Sequence, residues 1–304
     1  MLNNEVERYV ALRRALGSKL QGLARSLHLY ARFAAERGDT LIRTATAEAW
    51  AALGTSSHAR YLRLRQVARF ARFVHADDPA HEVPSLLLRR SPYLRPLPYI
   101  YTPDEIGRLL AATGRLRRAY PLRRAVYQTL LGLIAATGRR LSEALNLRLD
   151  DVLSEGVLRI GTAKFGKSRM VPLHPTVHDA LDRYLALRRR LATTHDHVFV
   201  SARNRRISSC MAEYTFRRIL KLAQVGTPGR ARPPRIHDLR HTFATRALES
   251  CPGERRAVAR HFVALSTYLG HVDIRQTYWY LEATPDLMTD IASAGEALVD
   301  GGGR

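Results

Sequence analysis

Arg140, Lys164, His237, Arg240, His271 and Tyr280 are residues of the types that reaction at a phosphodiester requires. Two guanidinium groups can grip one phosphate through paired hydrogen bonds, and a lysine can give a proton to a departing oxygen. Two histidines can hydrogen-bond a phosphoryl oxygen or move a proton, and a tyrosine can attack phosphorus. None of these tasks needs a metal. The six residues stand in the stretches TGRRLSEALNLRLDDV, KFGKSRMVPL, HDLRHT and LGHVDIRQTYWY, in that order.

Taken singly, the stretches differ in what they say. His237 and Arg240 share a face if HDLRHT is helical, but a solvated basic helix face would look the same. In TGRRLSE, Gly138 ends one helix and a second begins at once, which puts Arg139 and Arg140 near a helix N-terminus that favours an anion. Either arginine could be the ligand, with Glu143 one turn further on. Lys19, Lys164, Lys167 and Lys221 are the lysines among 49 basic residues. A lysine at a hairpin tip in such a chain suggests release of a proton, which arginine cannot easily perform. Tyr278 and Tyr280 lie roughly 200° apart around a helix axis, so both cannot face one phosphate.

Helices must position most of these groups. In the first hundred residues, Leu20, Leu23, Ala24, Leu27, Ala31 and Ala34 fall at helical spacing and Gly38 closes the segment. A short helix is expected over 47–53. Another, capped by Ser56 or Ser57, runs to about Ala76 and buries Tyr61, Leu64, Val67, Ala71 and Val74. Arg60, Arg63, Arg69 and Arg72 are read as its basic, DNA-facing flank. The whole is a small four-helix module over residues 1–78. Pro79, Pro84, Pro92, Pro96 and Pro98 make 79–101 an extended linker. A second domain, 102–304, opens with Thr102, Pro103 and Glu105 as a capping box.

Within that domain, helices are expected over 121–136, from near Arg140, and over 176–192, 209–224, 236–249, 257–269 and 274–281. VLRIGTAKFGKSRMVPL reads as strand, turn and strand with AKFGKS at the tip, and HVFVS as a further short strand. The fold class is mainly α with a small β-sheet, in two domains. The tail ends in GGGR.

Composition narrows the partners. The chain has 304 residues, 46% of them hydrophobic, and a formal net charge of +22. That describes a globular protein in a strongly positive field, with nucleic acid as the leading partner and an anionic membrane surface second. An acidic start and the lack of a long apolar run predict a cytosolic protein with no membrane span. Cys210 and Cys251 are far apart, without metal-ligand spacing, and are expected to be reduced structural thiols.

Together the motifs and their order resemble the tyrosine recombinases, the lambda-integrase family, from about Glu5 to about Met288. The resemblance implies a helical core-binding, SAM-like domain and a catalytic α+β domain closing on duplex DNA as a clamp. The family pattern TG-x-R-hydrophobic-SE assigns Arg140 as phosphate ligand over Arg139, with Glu143 as a buried orienting carboxylate. Its hairpin lysine corresponds to Lys164, leaving Lys167 to contact a phosphate or pack in the hairpin. Its nucleophile falls nine residues after His271, on Tyr280, which leaves Tyr278 and Trp279 to packing. By the same resemblance Arg240 is a second phosphate ligand, His237 a proton acceptor and His271 a hydrogen-bond donor.

The resemblance further implies a 3′-phosphotyrosyl intermediate, no metal or ATP cofactor, and four protomers on inverted-repeat DNA sites. The ending TYWYLEATPDLM looks like integrases of bacterial mobile elements encoded as adjacent recombinase genes, which admits hetero-assembly with related recombinases. Localisation at the nucleoid follows from a DNA substrate. A departure is SCPGERRAVARHFV, longer and more basic than a tight turn requires, which leaves the local helix boundaries open. Two alternatives share the chemistry or the fold: DNA relaxation by a type IB topoisomerase, and a catalytically idle DNA-binding regulator.

Overall fold

The computed structural model describes residues 2–17, 20–86, 97–117, 120–161, 168–191, 194–226, 232–250, 255–270 and 277. Lys164, Lys167, His271, Tyr278, Trp279 and Tyr280 lie outside them, as do Cys251, the expected helix over 274–281 except Thr277, and the GGGR tail. The chain divides into two compact units, Met1–Pro96 and Leu97–Arg304.

In the first unit, α1 (Leu2–Ala15), α2 (Gln21–Ala35), α3 (Thr44–Ala52) and α4 (Ser57–His75) enclose one core. Leu27, Ala31 and Ala34 of α2 are buried against Leu64, Val67, Phe70, Ala71 and Val74 of α4. Gly38, at φ +77°, turns the chain after α2, a conformation open to glycine at no steric cost. Ser56 caps α4 by accepting from the Ala59 N–H at 3.1 Å. Tyr61 is only half-buried. The start of the expected linker is tied to this unit: Glu82 donates its N–H to the Ile42 carbonyl at 2.9 Å, and its carboxylate accepts from the Thr44 N–H at 2.7 Å.

The second unit opens on Tyr99 and Tyr101, both buried and packed edge to face. The Tyr101 N–H donates to Thr242 Oγ1 at 2.9 Å. The capping box forms as the sequence predicts: Thr102 Oγ1 accepts from the Glu105 N–H at 3.1 Å, and Glu105 Oε2 accepts from the Thr102 N–H at 2.9 Å. There follow α5 (Pro103–Ala112), α6 (Arg123–Thr137), α7 (Leu141–Leu145), α8 (Pro175–Arg190), α9 (Ser209–Ala223), α10 (Ile236–Glu249) and α11 (Arg255–Leu269). The basic stretch before α11 thus extends the expected helix by two residues at its start.

Between α7 and α8 an antiparallel sheet runs in the order β1 (Val152–Leu153), β2 (Val157–Gly161), β3 (Ser168–Pro172). Leu158 faces Val171 and Ile160 faces Arg169. Leu158, Ile160 and Val171 are buried while Met170 is exposed, so β3 turns an arginine inward and a methionine outward.

HVFVS does not form the expected strand. It makes two isolated bridges, Arg148 to His197 and Val200 to Arg206. Val198, Phe199 and Val200 are all fully buried, so the stretch is a core plug with no continuous partner strand. Cys210 is a free thiol exposed on α9. Among the described residues no helix is long and apolar enough to cross a membrane.

Candidate active site

The site is built where the C-terminal ends of α6 and α11 meet the middle of α10. At Gly138, φ is +60°, and a Cβ there would lie 2.4 Å from Phe243 Cδ1 of α10 and 2.9 Å from Leu269 Cδ2 of α11. Glycine therefore both ends α6 and lets α10 and α11 press against its last turn. The freed Gly138 carbonyl accepts from Arg240 Nη1 at 2.7 Å, and Arg240 Nη2 reaches the Leu269 carbonyl at 2.9 Å. Arg240 is 1% exposed. A guanidinium at a helix C-terminus satisfies orphan carbonyls and meets the negative end of the helix dipole.

Arg139 and Arg140 part company here. Arg139 turns inward and is almost fully buried, with Glu143 Oε2 at 3.7 Å. Burial, with Arg169 beside it, pushes its pKa down to about 10. Arg140 is the N-cap of α7 and keeps a third of its side chain exposed. Its Nη1 donates to Glu143 Oε1 at 2.9 Å and to the Gly270 carbonyl at 3.3 Å. Because α7 has five residues, the anion affinity here rests on the guanidinium groups and little on a helix dipole.

Glu143 is the shared partner. Its carboxylate takes Arg140 on one oxygen and Arg169 on the other, each at 2.9 Å. Burial alone would raise its pKa, but Arg169 and Arg140 outweigh burial and hold it below the usual carboxylate range. The contribution of these pairs to stability is therefore present at neutral pH and lost as pH falls through that lowered pKa.

His237 and Arg240 lie one turn apart on α10, as the i, i+3 spacing predicts. The His237 ring stands edge-on to His241, centroids 4.6 Å apart, and more than a third of the residue is open to solvent. Exposure by itself would leave the ring ordinary. The protein packed around it, then Arg240 and Arg235, push its pKa down to about 4 against the weaker pull of Asp238. At neutral pH the imidazole is thus uncharged and able to accept a proton.

Arg140 and His237 line one cleft of about 560 Å³, together with Ser142, Glu213, Arg217 and Arg232. No hydrogen bond or ion pair engages the side chains of Arg217 or Arg232 among the described residues. Both follow no motif, and their sign alone would not separate them from the other arginines. Arg169, within KFGKSRMVPL, carries no role in the sequence reading, although Val171 facing inward fixes the residue two earlier to the same face of β3.

The four arginines read as a DNA-facing flank divide into pairs, while Arg65, also on α4, lies over the Tyr61 ring. Arg60 Nε donates to the Gly54 carbonyl at 3.0 Å, and Arg63 donates to the Trp50 carbonyl at 3.3 Å while lying over the Trp50 ring. They cap the end of α3. At about 100° per residue, Arg69 and Arg72 fall on the opposite side of the helix, and both are exposed.

His195, Asp196 and His197 bring three ligand-type atoms within 4.8 Å of one another. The Asp196 carboxylate, however, already accepts from Arg148 at 2.6 Å, and Arg188 binds the His197 carbonyl at 3.0 Å. Two guanidinium groups oppose a cation at this spot, and the cluster is better read as a latch between the segments before α8 and after it.

Buried guanidinium groups, a neutral histidine and an open cleft thus lie side by side. Residues 100–286 match the phage integrase family. The chain is 36% identical to y4rB of Sinorhizobium fredii, named as an integrase/recombinase, over 94% of both proteins. It is 28% identical to tyrosine recombinase XerD of Brucella suis over 98% of this chain and 97% of that one. Its fold is shared with the Tn1549 transposon integrase in complex with transposon right end DNA (TM-score 0.67, 16% identity, 96% and 98% covered). XerH recombinase bound to palindromic difH substrate is a further neighbour (TM-score 0.66, 18% identity, 90% and 78% covered). The chain belongs to the phage integrase family, the tyrosine recombinases. It is a site-specific DNA recombinase.

Proposed function

We propose that this recombinase cleaves and rejoins DNA through a 3′-phosphotyrosyl intermediate with Tyr280 as nucleophile. The observation that carries the reading is the convergence of Arg140 and a neutral His237 on one cleft, with Arg240 locked beneath. The Tyr280 oxygen bonds to phosphorus as the bond from phosphorus to the 5′-oxygen breaks. His237 takes the tyrosyl proton, Lys164 gives one to the leaving 5′-oxygen, and His271 donates a hydrogen bond to the phosphate. Arg140 and Arg240 hold the non-bridging oxygens as charge develops. The phosphotyrosine conserves the bond energy, so rejoining by a 5′-hydroxyl needs no metal or ATP.

The substrate is duplex DNA with inverted-repeat sites, bound by four protomers that are identical or closely related. A lambda integrase tetramer bound to a Holliday junction has this fold (TM-score 0.61), which supports that assembly. The y4rB and Tn1549 likenesses support a bacterial mobile element as its setting, and a chromosomal substrate puts the enzyme in the cytoplasm at the nucleoid. Residues 1–78 act as the core-binding domain, 79–101 as linker and 102–304 as the catalytic domain. Arg69 and Arg72 are the α4 residues best placed for phosphates; Arg60 and Arg63 add field more than contact, and Lys167 touches a phosphate near the hairpin.

Incubation with a nicked suicide substrate carrying the repeats that flank the gene tests the nucleophile. Wild type and Tyr278→Phe should give a protein–DNA adduct on a denaturing gel. Tyr280→Phe should give none, and an adduct surviving in that variant would sink the assignment.

A further inference from the structure

We propose that Arg169 is a positioning residue that keeps Arg140 available to the phosphate by occupying one oxygen of Glu143. The proposal rests on the reading of Arg140 as a phosphate ligand. Arg169 sits on the inward face of β3, opposite Ile160, with its side chain 13% exposed. Its Nη2 donates to Glu143 Oε2 at 2.9 Å, and its Nε donates to the Tyr268 carbonyl at 3.0 Å. Arg140 takes the other oxygen, Oε1. One carboxylate is thus divided between two guanidinium groups.

That division matters because a carboxylate and a guanidinium left to themselves pair through two parallel hydrogen bonds. Oε2 also accepts from the Arg140 backbone N–H at 3.4 Å, but without the Arg169 guanidinium Glu143 would be free to take the Arg140 side chain in that way, drawing its donors and its charge from the cleft. Arg139, at 3.7 Å from Oε2, makes no hydrogen bond to the carboxylate and is too buried to swing into the role. Arg169 also supports the second contact of Arg140. Gly270, whose carbonyl accepts from Arg140, has φ +66°, and a Cβ on it would lie 2.3 Å from Arg169 Nη1. The guanidinium therefore fills the space beneath the turn on which Arg140 rests.

Lysine at this position would keep the charge but lose the fork. A single ammonium cannot reproduce the geometry that spans Glu143 and the carbonyls at the end of α11. The defect should appear where the phosphate charge is neutralised, and a substrate that lowers this charge should hide it. A scissile methylphosphonate has one non-bridging oxygen replaced by a methyl group and is neutral.

Covalent adduct formation should be timed with wild type, Arg169→Lys, Arg169→Met and Lys164→Ala on phosphate and methylphosphonate suicide substrates, with circular dichroism on each protein. On phosphate, both Arg169 variants should be slower by up to about 100-fold, the scale of a small misplacement of a reacting group. On methylphosphonate they should fall within a few-fold of wild type, while Lys164→Ala stays slow on both. Equal losses on the two substrates would mark a general structural defect and overturn the proposal, as would a wild-type rate for Arg169→Lys on phosphate. Failure of wild type to form any adduct would overturn the Tyr280 reading, and this proposal with it, a result distinct from either.

Discussion

The arginines of α4 answer to their own neighbourhood, whereas those at the end of α6 are gathered from across the second unit. Arg60 and Arg63 reach carbonyls 6 and 13 residues away, and no hydrogen bond or ion pair engages the side chains of Arg69 or Arg72 among the described residues. At the α6 end, Arg240 reaches Gly138 over 102 residues, Arg140 reaches Gly270 over 130, and Arg169 reaches Tyr268 over 99. The first group is spaced along one helix; in the second, Arg240 and Arg169 are largely buried, and Arg140 and Arg169 share the Glu143 carboxylate. In a chain this rich in arginine, positive charge marks no function by itself. Convergence and burial are what set the arginines proposed for chemistry apart from those proposed to supply a field.

The comparison implies that variants of the arginine junction at the α6 end change rate, while variants on the outer face of α4 change affinity and its salt dependence. The largest effect should come from Lys164, which is proposed to work with the junction. Lys164→Ala and Lys164→Arg should slow cleavage by about 10²–10⁴-fold, the usual worth of a general acid. A bridging 5′-phosphorothiolate has a sulfur leaving group that needs no protonation, so cleavage should return in both variants and stay impaired in Arg140→Ala. Rescue of Arg140→Ala instead would mean that the two roles are exchanged. Rescue of Lys167→Ala would move the hairpin alignment by three residues.

A smaller effect concerns pH. If His237 is the base, the acid limb of single-turnover cleavage under subsaturating enzyme, which reports the free protein, should fall near pH 4. That follows from a pKa pushed down to about 4 from 6.5 by burial and its arginines; only below it is the ring protonated and unable to accept. Between pH 6.5 and 4 the unfolded chain binds this proton more readily than the folded one, so His237 also makes stability fall as pH falls. A limb near pH 6.5 in protein that circular dichroism shows to be folded would contradict the assignment.

The smallest change is expected on α4. Replacing Arg69 and Arg72 by glutamine should lower the slope of log affinity against log salt by about two, since each phosphate contact releases roughly one counterion, with adduct formation at saturating enzyme unchanged. Arg60→Gln with Arg63→Gln should leave the slope almost as it was and lower the melting temperature of the first unit. Equal slopes for the two double variants would erase the distinction between the faces of the helix.

Local signals were the legible part. Thr102 and Glu105 form their capping box, Ser56 caps α4, and α10 spans the residues its pattern implies, because caps and helical periodicity are decided within a few residues. HVFVS misled because a run buried on all sides has the composition of a strand whether or not a partner lies beside it. The pairing of Arg60 and Arg63 with carbonyls of α3 depends on how two helices meet, which no periodicity states. Arg169 was within reach, since alternation on β3 turns it inward with Val171, yet the tempting landmarks of that stretch were its lysines. Arg139 and Arg140 are neighbours that only packing could send in opposite directions, one beneath the site and one to its rim.

The long spans at the α6 end also bear on how the enzyme comes into being. Contacts that join residues 138, 140, 169, 240 and 270 close large loops, and such closures come late because their entropic cost precedes their reward. A nascent or half-folded chain would hold the helices of α4 and α6 long before it held the junction. The arrangement on which strand cleavage is proposed to depend is then expected to be among the last features acquired during folding and the first surrendered on unfolding.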